Sequence, residues 1–344
     1  MIASGQGEYE ALGNGRALVE GKRASVHEAV LHGLQRAQKS LPAWLLYDDE
    51  GSRLYQQITQ LPEYYPWRAE RQIFADHGRA IIAAAAREWR GPLRLAELGA
   101  GGAEKSELLL EALIERQGSA SFMPIDVSSA ALEVARARLA RQQSRVSVRP
   151  FVGRHEQAFR AIRELGQRKL VLFIGSSIAN YEDHEARKLL SGLRAHVDPG
   201  DALLLGTDLQ KDPALLVPAY DDAQGVTAQF NKNLLTRINR ELGGGFRLET
   251  FTHVALWNAE LSRIEMHLES ARDQSVPIRG LELTVSFRRG ERIHTESSIK
   301  YDLARVDRLL GESGWTREQT FYDQKRYFGA HVARAGASHA KECS

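Results

Sequence analysis

The strongest chemical signal in the chain lies around one glycine-rich turn, LAELGAGGAEKS. Gly99, Gly101 and Gly102 let the backbone come close to a ligand, and the helical run ELLLEALIER that follows aims its N-terminal amides at the same place. Such a turn accommodates a phosphate, a dinucleotide or S-adenosylmethionine. Asp126, at the end of the next apolar run FMPIDV, stands where a carboxylate accepts both hydroxyls of a ribose in either cofactor. The alternative for Asp126 is a helix cap or a solvated strand end. Glu97, just before the glycines, separates the two cofactors. A carboxylate there adds nothing to a pyrophosphate site but can hold the cationic amino-acid part of S-adenosylmethionine. Together with the helix-plus-strand insertion described below, Glu97 favours a methyl donor, while an NAD-dependent oxidoreductase on the same sheet stays open.

The turn needs a scaffold, and the flanking pattern supplies one. Short apolar runs at 93–98, 122–127, 146–152, 169–177 and 201–209 alternate with helical segments, among them one capped by Ser128 and one from Asp183 to His196. That alternation predicts a parallel, doubly wound sheet. It stops after residue 209. Residues 213–243 read as one amphipathic helix, and two or three alternating strands follow up to Tyr301. A helix over 302–314 and strand candidates TFYDQ and YFGAHVAR suit two antiparallel edge strands that close such a sheet. Upstream, Ser25 is a candidate cap for a helix with Val26, Val30 and Leu34 on one face. The aromatic-dense stretch 41–70, broken by Pro62 and Pro66, is packed structure: a core cap or a pocket wall.

The expected fold class is therefore α/β. A Rossmann-like methyltransferase domain spans 68–209 plus 301–335, and a smaller α+β substrate-binding domain comprises 25–67 plus 210–300. Residues 1–24 read as a flexible leader.

Bulk properties narrow the function. The chain of 344 residues, 43% hydrophobic and 26% charged, can bury a large core unaided. A formal net charge of +2 offers no basic stripe for nucleic acid. The single cysteine, Cys343, can form neither an internal disulfide nor a metal cluster. No apolar run is long enough to span a membrane, and no secretory signal is visible. The expectation is a monomeric cytoplasmic enzyme acting on a small molecule.

The blocks LPEYYPWRAE, ELGAGGAEKS, FIGSSIAN, GTDLQKD, AYDDAQGVTAQFNKNLLTRINREL, RIEMHL and HTESSIKY together resemble the histidine Nα-methyltransferases of ergothioneine biosynthesis, over residues 26–334. The resemblance implies S-adenosylmethionine as cofactor, a free amino acid as substrate and three successive methyl transfers. It assigns Asn180 to the substrate amine and Tyr220 to the carboxylate, with Tyr47 and the backbone at Gly175 nearby. Tyr64, Glu296 and Ser298 form the imidazole end, and Met266 packs beside the side chain. Gly99, Ala100, Gly101, Lys105 and Asp126 line the cofactor.

The imidazole assignment also makes chemical sense by itself. Glu296 and Ser298 lie two apart on a strand and share a face. A carboxylate beside a hydroxyl matches two ring nitrogens that are donor and acceptor, or two donors when charged. The alternative is that Glu296 is a surface residue paired with Lys300 or Arg292.

The sequence departs from the family pattern after the third strand. An Asp-aromatic pair for adenine is replaced by Arg154 and His155, of which His155 could stack on the ring. Ser177 and Ala179 replace Thr and Gly before Asn180. A tryptophan-type substrate and a non-catalytic relative are the competing readings within this resemblance.

Overall fold

The structure, a computed structural model, describes residues 26–142, 145–166 and 168–336. The leader, the Ser25 cap and Cys343 lie outside the described residues. The chain enters through α1 (residues 26–35), α2 (Asp49–Ile58) and α3 (Tyr65–Ala86). It then alternates through β1 (Leu93–Leu98), α4 (Ser106–Gln117), β2 (Ala120–Asp126), α5 (Ser129–Leu139), β3 (Val146–Val148), β4 (Phe151–Val152) and α6 (His155–Arg163). Next come β5 (Arg168–Phe173), α7 (Asp183–Arg194) and β6 (Ala202–Asp208). The insertion holds α8 (Pro213–Leu216), α9 (Val226–Leu242), β7 (Phe251–Asn258), β8 (Arg263–Ser270), β9 (Gln274–Ile278), β10 (Leu283–Phe287) and β11 (Arg292–Ile299). α10 (Leu303–Glu312), β12 (Trp315–Tyr322) and β13 (Phe328–Ala335) complete the chain.

The central sheet has eight strands in the order β12-β13-β6-β5-β1-β2-β3, with β4 continuing the β3 edge against β2. β6, β5, β1, β2 and β3 are parallel; the apolar runs of the inner four are buried on both faces, as crossover helices require, while β3 at the edge is half-buried. This is the Rossmann-like α/β fold expected from the alternation. The anticipated tail is present, with β13 antiparallel to β6 and β12 antiparallel to β13. The run 146–152 is two short strands, because the chain is interrupted at Arg149–Pro150, and proline cannot donate to a ladder. Strand order reverses between β1 and β5. At such a switch point the two following loops diverge to opposite faces and leave a crevice at the strand ends.

Two expectations for the insertion change. The helix over 213–243 is broken: α8 ends at Leu216, and α9 restarts only at Val226. Asp222 causes the restart, since its carboxylate accepts the amides of Val226 (3.0 Å) and Thr227 (2.7 Å), while Gly225 takes a left-handed φ of 71°. The break leaves Tyr220 in a non-helical corner, 9% exposed. The strands number five rather than two or three, arranged as a β11-β8-β7 sheet and a β9-β10 hairpin. The second and third of the expected strands each contain a turn, at Ala271–Asp273 and around Gly290, whose φ is 82°.

Apolar side chains collect in three clusters. One joins residues 26–64 to residues 216–293, and the other two cover the faces of the central sheet.

Candidate active site

The crevice at the switch point opens into a cavity of about 1530 Å³, walled by the Gly99–Lys105 turn, Asp126, Arg154, His155 and the Gly175 loop. The glycine turn folds over β2, with the amides of Gly99 and Ala100 both donating to Ile125 O. Gly99 and Gly101 adopt φ values of 74° and 50°, which side chains with a Cβ rarely tolerate. Asp126 accepts Gly101 N and Ser128 N, one on each oxygen and both at 2.9 Å. Each oxygen keeps a lone pair for a further donor. The cap reading and the ligand reading of Asp126 are thus compatible.

Glu97 is buried at the end of β1, where Ser106 donates to it from the first turn of α4. Burial pushes its carboxyl up to about 8, against the opposing pull of Ser106 and Lys105. A buried, nearly neutral acid of this kind regains its charge when a cation arrives beside it. The walls therefore fit S-adenosylmethionine, with Glu97 for the ammonium end and Asp126 for the ribose. Lys105 reaches the same cavity, held in an ion pair with Glu70. His155 sits edge-on to Phe173 (5.2 Å between centroids), with its Nδ1 3.2 Å from the Tyr181 hydroxyl. Arg154 is exposed at the rim.

A second, smaller chamber of about 50 Å³ adjoins the first. Tyr47, Tyr64, Gly175, Ser177, Asn180, Tyr220, Met266, Glu296 and Ser298 all line it. Every expected substrate residue is therefore in one place. Tyr47, Tyr55, Gly175, Ser177, Asn180 and Glu296 line both spaces and form the boundary between them.

Glu296 owes its direction to a β-bulge. The β8–β11 register shifts between His294 and Glu296, so His294 pairs with His267 while Glu296 pairs with Met266. The inserted Thr295 turns Glu296 and Ser298 into the chamber. Glu296 is 8% exposed, which excludes a surface role. Burial raises its carboxyl to about 7, with Lys300 pulling the other way. With its side-chain amide assigned the orientation that satisfies its neighbours, Asn180 Nδ2 donates to Glu296 Oε1 (3.2 Å) and to Ser297 O (3.1 Å), leaving its amide oxygen as an acceptor. Burial likewise holds the Tyr47 and Tyr64 phenols well above their usual range, so both are neutral hydroxyls.

Several supporting residues escaped sequence reasoning. Glu70, fully buried on α3, accepts Gly175 N at 2.9 Å on both oxygens and pairs with Lys105. Asp208, at the end of β6, accepts from Lys300 (2.8 Å), Lys211 (2.6 Å) and the Tyr65 hydroxyl (2.8 Å). Lys300 is buried beneath the chamber and does not partner Glu296 at a surface; it donates to Tyr220 Oη (2.8 Å) and Ser298 Oγ (2.9 Å). The one signal for them in the sequence is that Glu70 ends the block LPEYYPWRAE, while Asp208 and Lys211 lie in GTDLQKD and Lys300 in HTESSIKY, all blocks that carry the family resemblance.

A parallel sheet reversing between β1 and β5, an antiparallel β13 at its far side and two acidic strand ends facing a glycine turn together define an S-adenosylmethionine-dependent methyltransferase. Comparison with known proteins narrows this further. The chain belongs to the family described as histidine-specific, S-adenosylmethionine-dependent methyltransferases, whose model matches residues 26–335. It is 42% identical over 301 residues to the histidine N-alpha-methyltransferase of Mycolicibacterium smegmatis, covering 88% of this chain and 92% of that one. The enzyme of the same description from Mycobacterium tuberculosis is 41% identical over 304 residues, covering 88% and 93%. Ergothioneine biosynthesis protein 1 of Neurospora crassa is 28% identical over 282 residues, covering 80% of this chain and 31% of the fungal one. The dinucleotide alternative falls with these matches. Among the described residues, no helix is long and apolar enough to cross a membrane.

Proposed function

We propose that the protein methylates the α-amino nitrogen of free L-histidine, three times in succession, to give Nα,Nα,Nα-trimethylhistidine for ergothioneine biosynthesis. The observation that carries this reading is the boundary shared by the two spaces. Asn180, Glu296, Tyr47 and Gly175 face the large cavity and the small chamber at once, so an amine held by Asn180 points from one into the other. S-adenosylmethionine, when bound in the large cavity, supplies the methyl group and the sulfur leaving group. The remaining work is alignment and exclusion of water.

The free Asn180 oxygen accepts an amine N–H and orients the nitrogen lone pair. Tyr220 binds the carboxylate, and Glu296 with Ser298 binds the imidazole, with Tyr64 and Met266 as side walls. Lys105, Arg154, His155 and Ala100 complete the cofactor side, where His155 packs beside the adenine. The amine attacks only when unprotonated, so after each of the first two transfers the methylated ammonium gives a proton to water past Tyr47 before the next attack. A buried site beside a positive sulfur depresses the amine pKa and favours that state. A trimethylated nitrogen has no lone pair, so transfer stops there.

The test is a panel of free amino acids incubated with S-adenosylmethionine and followed by mass spectrometry. Histidine should gain one, two and then three methyl groups. No methyl gain on any amino acid, with S-adenosylhomocysteine shown to bind, overturns the proposal. Products stopping at one or two methyls would overturn the trimethylation alone.

A further inference from the structure

The hydrogen-bond count around Lys300 carries an inference about the substrate's protonation, resting on the reading that histidine occupies the small chamber. We propose that Lys300 is a positioning residue that makes Ser298 an acceptor toward the substrate ring, so that Glu296 and the bound imidazole together hold one shared proton.

An ammonium has three donors and no acceptor. Lys300 Nζ spends its three on Asp208 Oδ2 (2.8 Å), Tyr220 Oη (2.8 Å) and Ser298 Oγ (2.9 Å). Both hydroxyl oxygens are therefore acceptors from below. They also lie 2.7 Å from each other, so one donates to the other. Capture of a carboxylate, which only accepts, requires the Tyr220 hydroxyl to donate into the chamber. The Tyr220 proton is then used, and Ser298 must donate to Tyr220. Ser298 is left with one lone pair and no proton for the ring. On the other side of the ring, Glu296 accepts from Asn180 on Oε1 and offers Oε2.

A neutral imidazole has one N–H and cannot satisfy two acceptors. The pair needs one more proton, placed as imidazolium beside carboxylate or as neutral ring beside carboxyl. Glu296 at about 7 lies close to the ordinary imidazole value of about 6.5, so the two compete evenly for it. The charged and titratable groups facing the site agree with this count. Asp208 is the counter-ion of Lys300 and also accepts from Lys211, whose pKa burial lowers, and from the Tyr65 hydroxyl. Tyr47, Tyr55 and Tyr220 are neutral phenols held up by burial. Among the described residues, Glu296 is the one acidic side chain lining the chamber besides the paired Asp208.

The test uses the trimethylated product, whose quaternary nitrogen cannot titrate and cannot obscure the ring. Calorimetry at about pH 8, in buffers of different ionisation enthalpy and with S-adenosylhomocysteine bound, counts protons taken up on binding to the wild-type protein. Uptake close to one proton is expected, and binding without proton uptake overturns the proposal. No binding of product or histidine, with S-adenosylhomocysteine still bound, overturns the functional reading and this proposal with it. The variant Lys300→Met removes the donor beneath Ser298 and Tyr220 and leaves Asp208 paired with Lys211 and the Tyr65 hydroxyl. Its product affinity should fall tenfold or more and its uptake below half a proton, while S-adenosylhomocysteine affinity stays within about twofold. Retained uptake would show that Lys300 only neutralises Asp208. Should that variant not fold, Ser298→Ala serves instead, because removing the acceptor must also lower the uptake.

Discussion

Glu296 gathers the chemistry of the proposed site into one side chain, because it accepts from Asn180, proposed to hold the amine, and lines the chamber proposed to hold the ring. A buried carboxylate left without a donor is costly, whereas one matched to a ring N–H contributes about 1.5–3 kcal/mol. Glu296→Ala should therefore lower kcat/KM for histidine by about ten- to a hundredfold, and should affect tryptophan turnover far less; equal losses would remove Glu296 from the ring contact. Its raised pKa also has a consequence for stability. Glu97 and Glu296 titrate at about 8 and about 7 in the folded chain, against 4.5 for the ordinary group. A carboxyl whose folded pKa is raised supports the fold fully below the unfolded value and loses that support as pH rises through the folded one. Ligand-free protein should thus weaken between about pH 5 and pH 8, by up to about 1 kcal/mol per pH unit for each group. Urea unfolding across that range should show a flatter profile for Glu97→Gln than for the wild type. Parallel profiles would mean that Glu97 is not the titrating group.

At the scale of elements, the device that matters is the break before α9. Asp222 caps the helix through two amides and so fixes the corner that holds Tyr220. Asp222→Ala should destabilise the protein by about 1 kcal/mol, read as a lower urea midpoint, and raise the histidine KM as Tyr220 loses its anchor. An unchanged KM alongside the stability loss would separate the cap from the site. This break shows where sequence reading runs out. The β1 turn was legible because glycines, Glu97 and the helix start are neighbours in sequence, and local backbone demands write themselves into local residues. The helix over 213–243 was misread because its amphipathic period runs across the break, and Asp222 looks like any polar position until its carboxylate is seen on amides four and five residues on. The Thr295 bulge left no trace in the alternation of HTESSIKY, although it decides which way Glu296 points. Glu70 and Asp208 were invisible for a further reason. Lys105 and Gly175, which Glu70 holds, and Lys300 and Tyr65, which Asp208 holds, all lie more than thirty residues away, and a single polar residue in a helix or at a strand end carries no record of them.

Those two acids join the parts of the molecule. Asp208 ties the end of β6 to Lys300 on the insertion side, and Glu70 ties α3 to the Gly175 loop and to Lys105 at the start of α4. Because Gly175 and Lys105 both wall the cofactor cavity, the Glu70 carboxylate sets the distance between the loops that follow β1 and β5. The space for that carboxylate depends on Gly206 in β6, where an added Cβ would collide with Glu70 Oε1 and press on Ile174 at 3.2 Å. Strand β6 is buried on both sides and central in the sheet, so it cannot retreat, and Glu70 must move instead. Gly206→Ala should therefore cost about 1–3 kcal/mol of stability through overpacking. It should also raise the Kd for S-adenosylhomocysteine about tenfold or more, the loss expected when a charged acceptor leaves a backbone amide. Calorimetric titration of the variant with S-adenosylhomocysteine, run well below its melting temperature, separates the two effects. A destabilised variant with wild-type affinity would show that the Gly175 loop holds its place without Glu70.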